Sequence, residues 1–405
     1  MIGYQSVVKS INIDSDSEYT LNFYLSKHTV QLSPEIVVTA RRTESDQFET
    51  PEAITVINHR WLKQDSPRTV PEALSGSVGV FIQKTNHGGG TPIIRGLMGN
   101  QNLLLIDGIR LNNSTFRYGS NQYLNTIDPF LINRIEIVRG AGSVLYGSDA
   151  IGGVVQVFSH DIPFSDTALL VQGIVVGKLI SHNMEKTTRA GLTLSDKKVA
   201  FSGGFTYSDF GDIVAGSGVG KESPTGYTSY ATDTKLKLKL PNNHTLTFAF
   251  QYNRQNDVPR YDRILAGYQR YHFNPQIRML AYTRLNSEFK SKYLQNLTLT
   301  VFFGQSHEKR NIQRTGQDII VNELDIADSY GAIAEFKSNP VLNWTITSGI
   351  EYYHDIIRSS KTEIHEIQKI EKRGYYPDGA TSSNFAIFSS HSVNISRFSF
   401  MVGGR

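Results

Sequence analysis

The chain has 405 residues, enough for two or three domains, and its formal net charge of +4 is too small for a nucleic-acid footprint. Cysteine is absent, which excludes a disulfide scaffold and thiolate metal sites. No run reaches the roughly 18 to 20 consecutive apolar residues of a membrane helix, yet transmembrane strands alternate and leave mean hydropathy low, so a strand-built membrane protein stays open.

The chain begins with extended runs, Tyr4 to Ile13 and Tyr19 to Leu25, around the acidic turn Asp14 to Glu18. Asp14, Asp16 and Glu18 imitate the start of an EF-hand loop, but Tyr19 stands at its glycine position and Leu25 at its twelfth, so a solvated hairpin turn is the better reading. No secretion signal follows Met1. Pro34, Glu35, Ile36, Val37, Val38, Thr39 and Ala40 form a β-branched run ahead of Arg41-Arg42, suited to pairing with another protein's sheet edge.

Leu103 to Ile106, then Asp107-Gly108, then Ile109 to Leu111 predict a hairpin, because Asp-Gly supplies the two positive φ values of a type I′ turn. In Arg134 to Phe158, Ile135 and Ile137 alternate with Glu136 and Val138 as in a half-buried strand. Gly140, Gly142, Gly147, Gly152 and Gly153 then describe a compact knot anchored by Val144, Leu145, Tyr146 and Ile151, before Val154 to Phe158 resumes an extended pattern. These segments make a small mixed domain.

From about residue 166 the pattern becomes long alternation. Val199, Phe201, Phe205 and Tyr207 share one face and Ala200, Ser202, Thr206 and Ser208 the other; Leu246, Phe248, Phe250 and Tyr252 repeat the pattern. Such runs reach the roughly nine to eleven residues of a tilted membrane strand rather than the five or six of a soluble sandwich. Long polar pieces at 210–230, 255–277 and 359–382 contrast with tight connections such as Pro241-Asn242-Asn243. No catalytic constellation appears. Gly216 to Lys221 fails the P-loop spacing, His307-Glu308 and His365-Glu366 lack a second zinc-protease histidine, and no G-x-S-x-G elbow occurs.

The stretch RIEIVRGAGSVLYGSDAIGGVVQVF, with Ala141 in place of a proline, resembles the end of the plug domain of TonB-dependent outer-membrane receptors. Ile93-Ile94-Arg95-Gly96 and the LIDG-x-R-L-N hairpin around Asp107 resemble further plug elements, and Pro34 to Ala40 resembles a TonB box. The resemblance implies a mainly β protein: a small α/β plug domain inside a transmembrane antiparallel β-barrel, with about half of the 22 strands present, preceded by the end of a β-sandwich. The implied domains are 1–33, the end of a carboxypeptidase-regulatory-like β-sandwich; 34–44, TonB box and linker; 45–158, plug; and 159–405, partial barrel. The chain is accordingly expected to be incomplete at both ends.

The implied function is active uptake of a scarce nutrient across the outer membrane of a Gram-negative cell, energised by TonB and its inner-membrane complex. The barrel would contact outer-membrane lipid; no enzyme activity, resident cofactor, metal site or nucleic-acid partner is expected. The plug motif residues are Arg95, Gly96, Asp107, Gly108, Arg110, Glu136, Arg139, Gly140, Tyr146, Gly147, Gly152 and Gly153. Arg95, Arg110, Glu136 and Arg139 are expected to form plug-to-barrel ion pairs or to meet ligand, and the resemblance puts the Asp107-Gly108 hairpin toward arriving substrate. Asn256 to Ile264 and Asn274-Pro275-Gln276 resemble a segment of haem receptors. There Arg260, Tyr261 and Arg263 would offer cations and an aromatic face, with His87 as a candidate axial ligand. The expected ligand is haem or a ferric siderophore. Vitamin B12 or another small solute is one alternative, and a non-transporting β-rich surface binding protein is another.

Overall fold

The computed structural model describes residues 22–23, 36–37, 42, 45–46, 52–140, 142–166, 168–341, 343–366 and 368–405. The expected sandwich end at 1–33 therefore lies outside the described residues, apart from Asn22 and Phe23. Of the Pro34 to Ala40 run, Ile36–Val37 is described as a short strand pairing antiparallel with Ser45–Asp46.

The plug is built on strands β1 (Ala53–Ile57), β2 (Val80–Asn86), β3 (Gly89–Ile94), β4 (Asn102–Ile106), β5 (Ile109–Arg110), β6 (Ile132–Arg139) and β7 (Gly153–Ser159). Five of them form one sheet in the order β1-β6-β7-β4-β5, with β4 and β7 parallel, while β2 and β3 pair separately. Both faces of the sheet are covered, which explains why β4 reads as a continuous apolar run. Leu104, Ile106, Ile135, Ile137, Val155 and Val157 pack on one side, and Leu103, Leu105, Val138 and Val154 meet Leu145 and Tyr146 on the other. Gly153 permits this close pairing, because a Cβ there would come within 2.5 Å of the Val138 carbonyl oxygen. Helix α1 (His59–Asp65) is capped by Asn58, whose side chain accepts from the Trp61 amide at 3.0 Å. Helices α2 (Val70–Ala73) and α3 (Ser143–Tyr146) are single turns.

The wall consists of β8 (Leu170–Ile180), β9 (Glu185–Ser195), β10 (Val199–Phe210), β11 (Tyr227–Leu240), β12 (His244–Asn256), β13 (Tyr268–Glu288), β14 (Asn296–Arg314), β15 (Ile319–Val341), β16 (Trp344–His365), β17 (Thr381–Ile395) and β18 (Phe398–Gly404). Each pairs antiparallel with its chain neighbours. The alternation is realised in three dimensions: Phe205 and Tyr207 are exposed outward, while Thr206 and Ser208 are buried toward the plug. Among the described residues no helix is long and apolar enough to cross a membrane, which says nothing of strands.

Short turns such as 196–198 and 241–243 gather at one rim, and longer connections at 211–226, 257–267 and 374–380 at the other. Two expected loops are shorter than the sequence suggested. Helix α4 (Tyr261–Leu265) occupies the middle of one. In the other, β16 continues to His365 and turns back through Gln368–Arg373, because Lys372 and Glu363 pair across the ladder at 2.6 Å and Thr362 donates to Glu371 at 3.0 Å.

Candidate functional site

The plug is fixed to the wall by a seam of polar contacts. At its short-turn end Asp107 (φ 49°) and Gly108 (φ 81°) form the two-residue turn joining β4 to β5. The Asp107 carboxylate accepts from the Ser159 amide (2.9 Å) and hydroxyl (2.6 Å), from the Tyr282 hydroxyl (3.1 Å) and from the Gln251 amide (3.3 Å). Burial opposes that charge, but Lys235, the Ser159 donors and Arg284 outweigh it and hold the carboxyl below its ordinary value. Lys235 also donates to the Ser159 hydroxyl at 2.6 Å and to the His160 carbonyl at 2.8 Å.

Farther toward the long-loop rim, Asp128 accepts from Arg189 (3.2 Å) and Thr206 (2.6 Å), Gln255 donates to the Asn125 carbonyl (2.9 Å), and Arg278 donates to the Thr126 carbonyl (3.1 Å). Arg42, next to the Ile36–Val37 strand, enters the seam from the N-terminal side. It pairs with Glu335 (3.1 Å) and Glu351 (2.5 Å) and lies 4.4 Å from the ring centres of both Tyr146 and Phe388.

At the apex the plug segment 113–123 meets the long connections. Arg117 pairs with Glu308 at 2.9 Å and covers the Tyr123 ring at 5.4 Å; Phe116 stacks on the same ring at 4.5 Å. The hydroxyls of Tyr123 and Tyr376 both donate to the Thr115 carbonyl, so the 374–380 connection bends over the plug. Tyr118 is 70 % exposed and Tyr375, beneath whose ring Arg310 lies at 5.4 Å, is 63 % exposed. Arg263 and Arg270 are exposed on the same rim, and Arg314 covers Tyr268 at 5.0 Å. Aromatic faces beside guanidinium groups suit a flat or macrocyclic anion. Sequence reasoning passed over Phe116, Arg117, Tyr118, Tyr375 and Tyr376; two aromatic residues flanking an arginine in a Ser- and Gly-rich stretch were the available signal.

Several expected placements are corrected. Arg110, Glu136 and Arg139 are paired within the plug: Arg110 with Asp149 (3.6 Å), Glu136 with Arg134 (2.8 Å), and Arg139 with the Thr55 hydroxyl (2.7 Å) and the Val78 carbonyl (2.6 Å). Arg95 lies beside Gly140. The plug-to-wall ion pairs fall instead on Asp128, Arg117 and Arg42. The Asp107-Gly108 turn lies at the short-turn end, with Asp107 buried against Gln251 of β12 and Tyr282 of β13 and Gly108 half-buried, and not toward the long-loop rim. His87 is 0 % exposed, enclosed near Phe210, so it presents no ring nitrogen to a ligand in this conformation. Arg68 and Lys84 add to burial in pushing its pKa down to about 3. Arg260 is held by Asp262 through two bonds of 2.8 and 2.7 Å, Tyr261 is half-buried in α4, and of the three only Arg263 is an exposed cation. Gly96, Gly140 and Gly147 take positive φ, Gly152 and Gly153 are packed against β4 and β6, and Tyr146 is buried under Arg42.

Residues 46–154 match the model of the TonB-dependent Receptor Plug Domain. The vitamin B12 transporter BtuB of Vibrio vulnificus (strain CMCP6) is 31% identical over 213 residues, 51% of this chain and 34% of that protein. The hemin receptor of Yersinia pestis is 35% identical over 121 residues, 30% of this chain and 17% of that protein. The chain thus spans about a third or less of these relatives' length. Among solved structures, the copper transporter OprC superposes with a TM-score of 0.69 at 12% identity, covering 86% of this chain and 53% of that one. The Serratia marcescens hemophore receptor HasR, in complex with its hemophore HasA and heme, gives 0.67 at 15% identity over 87% of this chain and 51% of that one. These two likenesses speak for the fold alone.

Proposed function

Because this chain belongs to the TonB-dependent outer-membrane receptors, we propose that it takes up a scarce nutrient, an iron source such as haem or a ferric siderophore, when TonB and its inner-membrane complex act on the plug. The observation that carries this reading is the plug itself: a folded domain with its own apolar core, held to a membrane wall by hydrogen bonds and ion pairs. Such contacts are exchanged for water at small net cost, so the plug can be displaced without being unfolded. Ligand would meet the aromatic and arginine-bearing apex around Tyr118, Tyr375 and Arg263, and TonB would add a strand to Pro34 to Ala40. The relatives named above are transporters and receptors, which supports transport over an enzyme.

A second reading, a corrinoid as cargo, is favoured by the vitamin B12 transporter among the relatives. The test is growth of a host strain deleted for this gene on haem, a ferric siderophore or cobalamin as the sole source of the nutrient. A defect on an iron source, cured by the gene but not by its Val37→Pro variant, supports the first reading. A defect confined to cobalamin transfers the conclusion to the second, and growth unchanged on all three refutes uptake of these nutrients.

A further inference from the structure

The outward face of the wall is uneven. On β13 two small residues, Ala281 and Thr283, point toward lipid, while the residues facing them across both ladders are large: Phe250 and Phe248 on β12, Phe303 and Val301 on β14. The result is a depression of about 440 Å³ that lies over β13 and continues past Phe248 and Phe250 to Thr234 and Leu236 on β11 and Phe201 on β10, with Phe248 and Val301 40 % and 56 % exposed in it. In its part over β13 the flanking side chains stand on strands two ladder spacings apart, about 10 Å, which admits one hydrocarbon chain. Thr283 stands five positions before Glu288, the last residue of β13. At about 3.4 Å per residue and a tilt of about 40°, the groove lies roughly 13 Å above the short-turn rim, within a single leaflet of a hydrocarbon core about 30 Å thick. Between groove and rim the outward row Leu246, Leu285 and Leu299 keeps the path apolar.

Directly beneath, the turn 289–295 joins the two strands that form the groove's floor and one wall. It presents Lys290 and Lys292, both exposed and in no ion pair among the described residues, with Lys292 lying 5.1 Å above the exposed ring of Tyr293. Phe289 packs edge-on against His244 at 5.9 Å, giving the rim an aromatic anchor. Glu288 is the one carboxylate at this turn and leaves a net positive charge. We propose that the groove and the turn together bind one anionic glycerophospholipid of the periplasmic leaflet, an acyl chain lying over Ala281 and Thr283 and the phosphate against Lys290 and Lys292. An apolar slot at chain depth and cations at headgroup height are what such a lipid requires, and among the described residues neither lysine is neutralised by a carboxylate.

The test places a reporter, Phe250→Trp, on the groove wall of the receptor in nanodiscs of phosphatidylethanolamine. The discs carry an equal minor fraction of brominated phosphatidylglycerol or brominated phosphatidylcholine. Fluorescence quenching stronger with the anionic lipid, and a preference that falls about fivefold for each lysine removed in Lys290→Ala and Lys292→Ala, is the expected result. Ala281→Phe, which fills the slot, should abolish quenching by the preferred lipid; should that variant fail to insert, the lysine variants, altered only on an exposed turn, still decide. Equal quenching by the two lipids, or a preference untouched by both lysine changes, would mean an ordinary lipid annulus and overturn the proposal.

Discussion

Asp107→Asn should loosen the plug from the wall while leaving the plug folded. Asparagine tolerates the positive φ of this position as aspartate does, so the turn is retained and the change isolates the charge. What is lost is the charge-assisted part of bonds from Ser159, Tyr282 and Gln251, together with the counterion of the buried Lys235. Hydrogen bonds to a charged group contribute about 1.5–3 kcal/mol each, but an amide oxygen keeps some of the donors, so a net loss of about 2–3 kcal/mol is expected. The Ser159 amide, which donates to Asp107, reports this directly. Its hydrogen exchange should accelerate by about 30- to 150-fold, at about 1.36 kcal/mol per factor of ten. The Ile135 and Ile137 amides, inside the plug sheet, should change little. Unaltered protection of Ser159 would refute the assignment of Asp107 as the fastener of this end of the seam, and equal loss at Ile137 would show that the plug unfolds rather than detaches.

Three further outcomes are expected. Because His87 is buried neutral with a pKa near 3, against 6.5 for the unperturbed group, its contribution is intact above about pH 6.5 and is lost as pH falls toward 3. Amides of the 86–89 turn should lose about 2 kcal/mol of protection by pH 5, and His87→Phe should flatten that dependence. Arg42→Ala removes one of the two guanidinium partners of the Glu351 carboxylate, 1 % exposed, leaving Arg405 at 2.6 Å, and should cost about 1.5–3 kcal/mol, read as faster proteolysis between residues 36 and 52. If Pro34 to Ala40 pairs with TonB through its backbone, Val37→Pro should abolish uptake that Val37→Ala preserves; equal uptake would remove strand addition from the mechanism.

What the sequence disclosed follows from where the information resides. The Asp107-Gly108 turn is written in two residue types that tolerate positive φ, and the wall's inside-outside pattern is a period of two that any register preserves. Partners of charges are not local properties. Arg110 could be seen to need a counterion, but that Asp149 supplies it depends on the glycine knot bringing that residue back beside β5. His87, followed by three glycines, was a candidate axial ligand. The structure uses the first of them differently: the bare Cα of Gly88 lets the hairpin tip press against Val258 and Tyr227, which buries the imidazole. The extension of β16 was hidden for a related reason, since Lys361, Glu363, Glu371 and Lys372 resemble a solvated loop until they are set opposite one another.

The distribution of polar and apolar contacts decides what a pull on the N-terminal segment can do. Within the plug, burial is apolar and extensive: Leu103, Ile106, Ile135, Ile137, Val154 and Val157 are each 0 % exposed, and removing one such side chain typically costs about 2–5 kcal/mol. Against the wall, apolar contact is limited to patches around Leu280, Tyr282 and Phe302, around Phe388 beside Tyr146, and around Val258 and Tyr227 beside Gly88, while Asp107, Asn125, Thr126, Asp128 and Ser159 face wall side chains through hydrogen bonds. Water can replace those partners one at a time, at a net cost of about 1 kcal/mol each when both sides are solvated. Arg42 stands at the near end of this series, bonded to the wall and packed on Tyr146 of the plug, so a force applied at residues 36–37 reaches the wall ion pairs before it reaches the plug core. The seam therefore yields first, from Arg42 onward, and the sheet of β1, β6, β7, β4 and β5 moves as one body or opens only after the seam is wet.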